Sequence, residues 1–240
     1  MKAHKGFFFS FEGNEGSGKS TQIALLAERL KQEGFVVSQW REPGGTALGE
    51  ALRPIIKQPG EELRMGPMAE LLLMNASRAQ LVEEVILPRL NQGEIILVDR
   101  FYDSTLVYQG LGRGLDMGLV RQAVSLAVGK TTPDRTFLLK VPLQVSESRR
   151  QSRADQVGET HKDRFEASNR SFFERIEAGY GQLAQDYPDR IIPIDATQSV
   201  ELVHQCIWKQ VQTLTAAKLG PTPNKSLPSR HPGARMAKEE

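Results

Sequence analysis

Residues 13–20 read GNEGSGKS, which satisfies G-x-x-x-x-G-K-[ST] with an apolar run before it and a helix-period run after it. Gly13, Gly16 and Gly18, with Asn14, Glu15 and Ser17 between them, let the backbone turn its N–H groups onto phosphate oxygens. A helix starting just beyond adds the positive end of its dipole. Lys19 is placed to reach the β and γ phosphates, and Ser20, followed by Thr21, to ligate a Mg²⁺ that arrives with them. Residues 95–98 are purely aliphatic and end in Asp99, the pattern of a buried strand that delivers a carboxylate to the metal side of such a loop. Phosphoryl transfer also needs positive charge from several directions. Arg41, Arg53, Arg78 and Arg100 stand beside expected loops and helix faces, and Arg149, Arg150, Arg153 and Arg164 cluster further on.

These groups need a scaffold. Apolar runs at 7–11, 36–40, 95–98, 136–141 and 191–194 alternate with helix-period segments at 23–30, 48–56, 68–90, 119–128, 165–183 and 200–214. Five strands separated by helices predict a three-layer α/β fold of the phosphate-loop NTPase type: a five-stranded parallel sheet, helices on both faces and right-handed crossovers. Ligands in such sheets lie beyond the carboxyl ends of the strands, where both motifs fall.

Composition bounds the remaining classes. With 240 residues and 39% hydrophobic content, a single large core is feasible. A net charge of +2 marks no polyanion-coating protein, so no nucleic-acid partner is expected. Cys206 stands alone, which excludes an internal disulfide and a cysteine zinc site and fits the reducing cytoplasm; the four histidines are scattered. The run at 6–11 is too short for a signal peptide, and no stretch suits a membrane span. The expected division is a folded domain over 1–217 and a Pro-rich tail over 218–240. That tail carries five basic and two acidic residues and too little apolar surface to order itself.

Among phosphate-loop proteins, a guanine-nucleotide switch would follow its second motif with Asp-x-x-Gly and carry Asn-Lys-x-Asp. Here Asp99 is followed by Arg100, Phe101 and Tyr102, and Asn224-Lys225 continues with Ser226 and Leu227. Motors and helicases need more chain than this. A compact kinase fits best.

Six segments resemble the thymidylate kinases: FEGNEGSGKST (11–21), REPGGT (41–46), RAQLVEEVILP (78–88), DRFYDSTLVYQG (99–110), DRFE (163–166) and IDATQ (194–198). The resemblance implies transfer of a phosphoryl group from ATP to dTMP, with Mg²⁺, in a homodimer. It implies that Glu15 bonds the 3′-hydroxyl of the dTMP sugar, that Arg53 contacts dTMP, that Arg100 clamps the acceptor phosphate between it and the donor, and that Arg78 reads the thymine carbonyl edge. Thr105, Tyr108 and Gln109 match residues that contact base and sugar. Met74 stands where the family commonly stacks an aromatic ring on the base. Within a kinase domain over 1–217 the resemblance implies a lid segment at about 148–164. Gly16 stands where some members carry a catalytic arginine, so that charge is expected from the lid, with Arg149 and Arg153 matching best. Two alternatives stay open: a nucleoside monophosphate kinase with another base preference, and a weakly catalytic nucleotide-binding protein acting through its basic tail.

Overall fold

The computed structural model describes residues 5–58, 63–157 and 163–219. Each apolar run forms a strand: β1 (Phe7–Glu12), β2 (Val37–Arg41), β3 (Ile95–Asp99), β4 (Arg135–Lys140) and β5 (Ile191–Asp195). They pair in the order β2-β3-β1-β4-β5, every pair parallel. All six positions of β1 are buried because it is central and covered on both faces, whereas edge strand β2 is half-exposed.

Alternate residues of β1 feed two cores. Phe8 packs edge-on against Phe101 on one face. Phe7, Phe9 and Phe11 join Ile23, Leu26 and Leu30 of α1 (Lys19–Gln32) and Val203, Ile207 and Val211 of α9 (Val200–Leu219) on the other. The first face is covered by α3 (Pro67–Leu81), α4 (Leu87–Gln92), α6 (Met117–Val128) and α8 (Arg170–Asp186). The remaining helices are α2 (Ala47–Lys57), the short α5 (Tyr102–Thr105) and α7 (Leu143–Val157).

Three segments differ from expectation. The helix-period run 68–90 is interrupted by a π-helical turn at Val82–Ile86, just ahead of Pro88, whose missing N–H removes a rung of the ladder. The run 165–183 becomes helix at Arg170, because the Asn169 side chain accepts from Phe172 N at 3.0 Å and caps it there. Its first residues instead form a turn in which Asp163 Oδ1 accepts from Phe165 N and Glu166 N, each at 2.9 Å. Finally, α9 runs to Leu219, two residues into the segment expected as tail. Positions 220–240 lie outside the described residues, as do 158–162 of the expected lid; 148–157 belong to α7.

Candidate functional site

The loop after β1 and the carboxyl ends of β2, β3 and β5 open onto a cleft of about 660 Å³. β1 and β3 are neighbours with Phe11 paired to Asp99, so the residues following β1 must meet the end of β3. Ser20 Oγ accordingly donates to Asp99 Oδ2 at 3.1 Å. Lys19 is buried, its Nζ curled over the loop to donate to the carbonyls of Gly13 (3.2 Å) and Asn14 (3.0 Å). Burial, then the nearby Arg100 charge, push this amine down to about 8. Ser17 Oγ is buried in the same loop without a hydrogen bond among the described residues, an orphan that a phosphate oxygen would satisfy. The hard oxygens of Ser20 and Asp99 beside a phosphate cradle suit Mg²⁺.

Gly16 carries φ +80°, and a Cβ there would sit 2.8 Å from Ser146 O and 3.4 Å from Arg149 Cβ. A side chain at that position would therefore require α7, which is packed against the loop, to shift. The same contact brings Ser146 Oγ to donate to Glu15 O at 2.6 Å and places Arg149 and Arg150 in the cleft wall. Arg149 Nη1 donates to Ala196 O at 3.2 Å. The side chain of Arg153, the other expected lid arginine, lies outside the described residues.

Arg100 follows β3 in the left-handed region at φ +68°, a conformation that non-glycine residues hold only when their surroundings impose it. Its N–H donates to Phe11 O at 2.9 Å. The next turn is pinned by Glu12, the fully buried last residue of β1: Oε1 accepts from Phe101 N (2.8 Å), and Oε2 from Ser104 Oγ (2.6 Å) and Tyr180 OH (2.9 Å). The guanidinium is aimed by donation to Ser104 Oγ at 3.1 Å and by the Tyr108 ring 5.2 Å away. Burial and the Asp103 charge push the Glu12 carboxyl up. Neither Glu12 nor Tyr180 was singled out in the sequence: Glu12 sits inside the FEG segment without a motif of its own, and Tyr180 lies 168 positions away with none.

Met74, Tyr108 and Gln109 line a further part of the same cleft. The last two come from a π-helical turn, Leu106–Gly112, which continues α5. Arg78 and Thr105 do not line the cleft; both are fully buried behind it. Arg78 donates through Nε and Nη2 to Glu42 Oε2 (2.9 and 2.6 Å), through Nη1 to Asn75 Oδ1 (3.1 Å) and Thr105 Oγ1 (2.9 Å), and through Nη2 to Phe101 O (3.4 Å). Five hydrogen bonds thus run to four protein acceptor atoms, and only the last bond is long enough to yield cheaply. Burial raises the Glu42 carboxyl, and the Arg78 guanidinium opposes that rise. Arg53 lines the cleft from α2, with Nη1 on Pro43 O at 2.7 Å.

The DRFE segment closes the third side. Ligand oxygens of Glu15, Asp163 and Glu166 lie within 4.8 Å of one another, and Lys57 Nζ pairs with Asp163 Oδ2 at 2.8 Å. Burial, then hydrogen bonding and repulsion from Glu15, push the Glu166 carboxyl up. Of the expected site residues, Glu15 to Thr21, Arg53, Met74, Asp99, Arg100, Tyr108, Gln109 and Arg149 converge on one cleft; Gly13 and Asn14 form the buried base of the loop.

A parallel sheet in this order, with a glycine loop between β1 and α1 facing a carboxylate at the end of β3, defines a phosphate-loop nucleotide-binding protein. Residues 11–207 match the family model of thymidylate kinase. A thymidylate kinase of Geobacter sp. (strain M21) is 40% identical over 218 residues, covering 89% of this chain and 96% of that protein. One from Thermomicrobium roseum is 44% identical over 205 residues, covering 85% and 94%. The crystal structure of thymidylate kinase from Ehrlichia chaffeensis superposes with a TM-score of 0.67 at 31% identity, covering 86% of this chain and 98% of that one. The chain belongs to the thymidylate kinase family.

Proposed function

We infer that this cleft transfers the γ-phosphoryl group of ATP to dTMP, forming dTDP and ADP. The carrying observation is that Arg100 shares one cleft with the Lys19–Ser20–Asp99 cluster and with the Met74–Tyr108–Gln109 wall, its guanidinium 5.2 Å from the Tyr108 ring. A donor phosphate chain on the loop and an acceptor with its base on that wall would then meet at Arg100. The second pKa of a nucleoside monophosphate is near 6, so the attacking oxygen is already anionic at neutral pH. No strong general base is required, and positioning with charge neutralisation carries the rate.

Residue roles follow from placement. The loop N–H groups and Lys19 hold the donor phosphates. Ser20 and Asp99 would hold Mg²⁺, which supplies charge neutralisation at the phosphate oxygens. Arg100 and Arg53 grip the acceptor phosphate, where a guanidinium's paired donors suit phosphate oxygens better than an ammonium. Glu15 bonds the sugar 3′-hydroxyl, Tyr108 borders the sugar and Met74 covers the base as a soft apolar surface. Arg78 reaches a base carbonyl by giving up its 3.4 Å bond to Phe101 O. Arg149, with Arg153, brings lid charge to the transferred group and excludes water.

The protein acts as a cytoplasmic homodimer in this reading, supported by the lone Cys206 and by exposed Met68 and Leu72 of α3 and Leu119 and Leu126 of α6, two helices in contact. The 218–240 tail is dispensable for turnover. A coupled ADP-release assay with ATP and Mg²⁺, offering dTMP, dUMP, UMP, CMP, AMP and GMP separately, tests the assignment. Strong preference for dTMP is expected; preference for another acceptor, or ADP release indifferent to any acceptor, overturns it.

A further inference from the structure

The base-facing wall holds one amide whose orientation is not its own choice. Gln109 is fully buried, lines the cleft, and donates through Nε2 to Glu70 Oε1 at 2.7 Å. Its Oε1 is buried and has no hydrogen-bond partner among the described residues. Glu70 on α3 is equally buried and faces two guanidiniums: Arg113 Nε donates to Oε1 at 3.2 Å, and Arg164 Nη2 to Oε2. A carboxylate in that setting only accepts, so Gln109 must turn its NH₂ toward Glu70 and leave its carbonyl as the group for the cleft.

We propose that Glu70 is a specificity-positioning residue, locking the Gln109 amide so that the cleft presents a hydrogen-bond acceptor to the Watson–Crick edge of the base. The inference rests on the dTMP kinase reading. A thymine edge runs acceptor, donor, acceptor, with the ring N3–H at its centre; cytosine has an acceptor at N3 and a donor at N4. A locked carbonyl satisfies the thymine N3–H and opposes the cytosine N3 lone pair. Leaving a buried acceptor unpaired is what makes such discrimination large, because the wrong base cannot repay the desolvation of Oε1. Arg78, buried behind this wall, cannot substitute, since its donors cannot recognise an N–H. Glu70 also anchors Arg164 of the DRFE segment and, through Arg113 Nη1 on Ser168 Oγ at 3.4 Å, the turn that follows it. The base wall and that cleft side therefore share one buried carboxylate.

The test is the ratio of kcat/KM for dTMP to that for dCMP in the full-length enzyme. Glu70→Gln lets position 70 present either an oxygen or an NH₂, so the Gln109 amide is free to flip; the ratio is expected to fall at least tenfold, mostly through loss of discrimination rather than of kcat for dTMP. Glu70→Asp keeps the charge for both arginines but withdraws it by one methylene from Gln109, and is expected to lower the ratio as well. It also decides the matter if Glu70→Gln fails to fold. Gln109→Met removes the acceptor, and adding Glu70→Gln to it should lower the ratio no further, because the two act through one group. A purely structural role for Glu70 would depress both nucleotides alike and add to Gln109→Met. An unchanged ratio in folded Glu70 variants, with wild type still preferring dTMP, overturns the inference alone; wild type with no dTMP preference overturns the functional reading beneath it.

Discussion

Ser20 Oγ donates to Asp99 Oδ2 at 3.1 Å, joining the phosphate loop to the end of β3 across 79 positions of chain. This bond brings together two oxygens that suit one hard cation, and Asp99→Asn removes the charge while keeping the shape. The Mg²⁺ concentration for half-maximal activity is expected to rise about tenfold or more, in line with losses seen when groups around a metal are altered. Titrating Mg²⁺ at saturating ATP and dTMP checks it; an unchanged requirement would remove Asp99 from the metal side.

Lys19 carries a second expectation. Its amine is pushed down to about 8 by burial and by Arg100, whereas bound phosphates would favour the charged form. Below pH 8 the ammonium is present before binding. Above it, binding must take up a proton, so ATP affinity is expected to weaken about tenfold per pH unit. Calorimetry in buffers of differing ionisation enthalpy should show net proton uptake at pH 9 and little at pH 7. Lys19→Ala should remove both the uptake and the transfer reaction while the fold persists.

Arg100 is expected to act on the reacting group more than on ground-state binding. Arg100→Ala should lower kcat about 10²–10³-fold, the usual size for losing one preorganised donor, with a smaller rise in KM for dTMP. Steady-state kinetics that show the reverse pattern would assign it to binding alone.

Tyr180→Phe removes one of three partners of the buried Glu12 Oε oxygens while leaving Phe101 N and Ser104 Oγ in place. Urea unfolding should show a loss of about 1–3 kcal/mol, because a buried acceptor is left partly unpaired. Since Glu12 pins the turn that holds Arg100 at positive φ, kcat is expected to fall along with stability.

Gly16→Ala places a Cβ 2.8 Å from the Ser146 carbonyl oxygen and at φ +80°. A destabilisation of about 1–3 kcal/mol is expected from strain and overpacking. Thermal melts of the variant that match wild type would show that α7 can withdraw from the loop at no cost.

Sequence patterns and tertiary packing contributed different things to this site. Strand count, sheet type, the phosphate cradle and the carboxylate at Asp99 were legible in the sequence because they rest on local physics: period-2 and period-3.6 apolar spacing, glycine at turns, and a strand that ends where its charge is needed. The helix starts at Arg170 and the π-helical turn before Pro88 were missed because capping and a lost rung shift boundaries without changing apolar period. Glu12, Tyr180, Glu42 and Glu70 were not distinguished either, since a buried carboxylate acquires meaning only from partners that arrive from other strands and helices. Glu42 pairs with Arg78 at 36 positions' distance, and Glu70 with Gln109, Arg113 and Arg164 at 39, 43 and 94. Burial makes those pairings compulsory: in a low-dielectric interior each charge must find its partner, and only the folded chain decides which one is within reach.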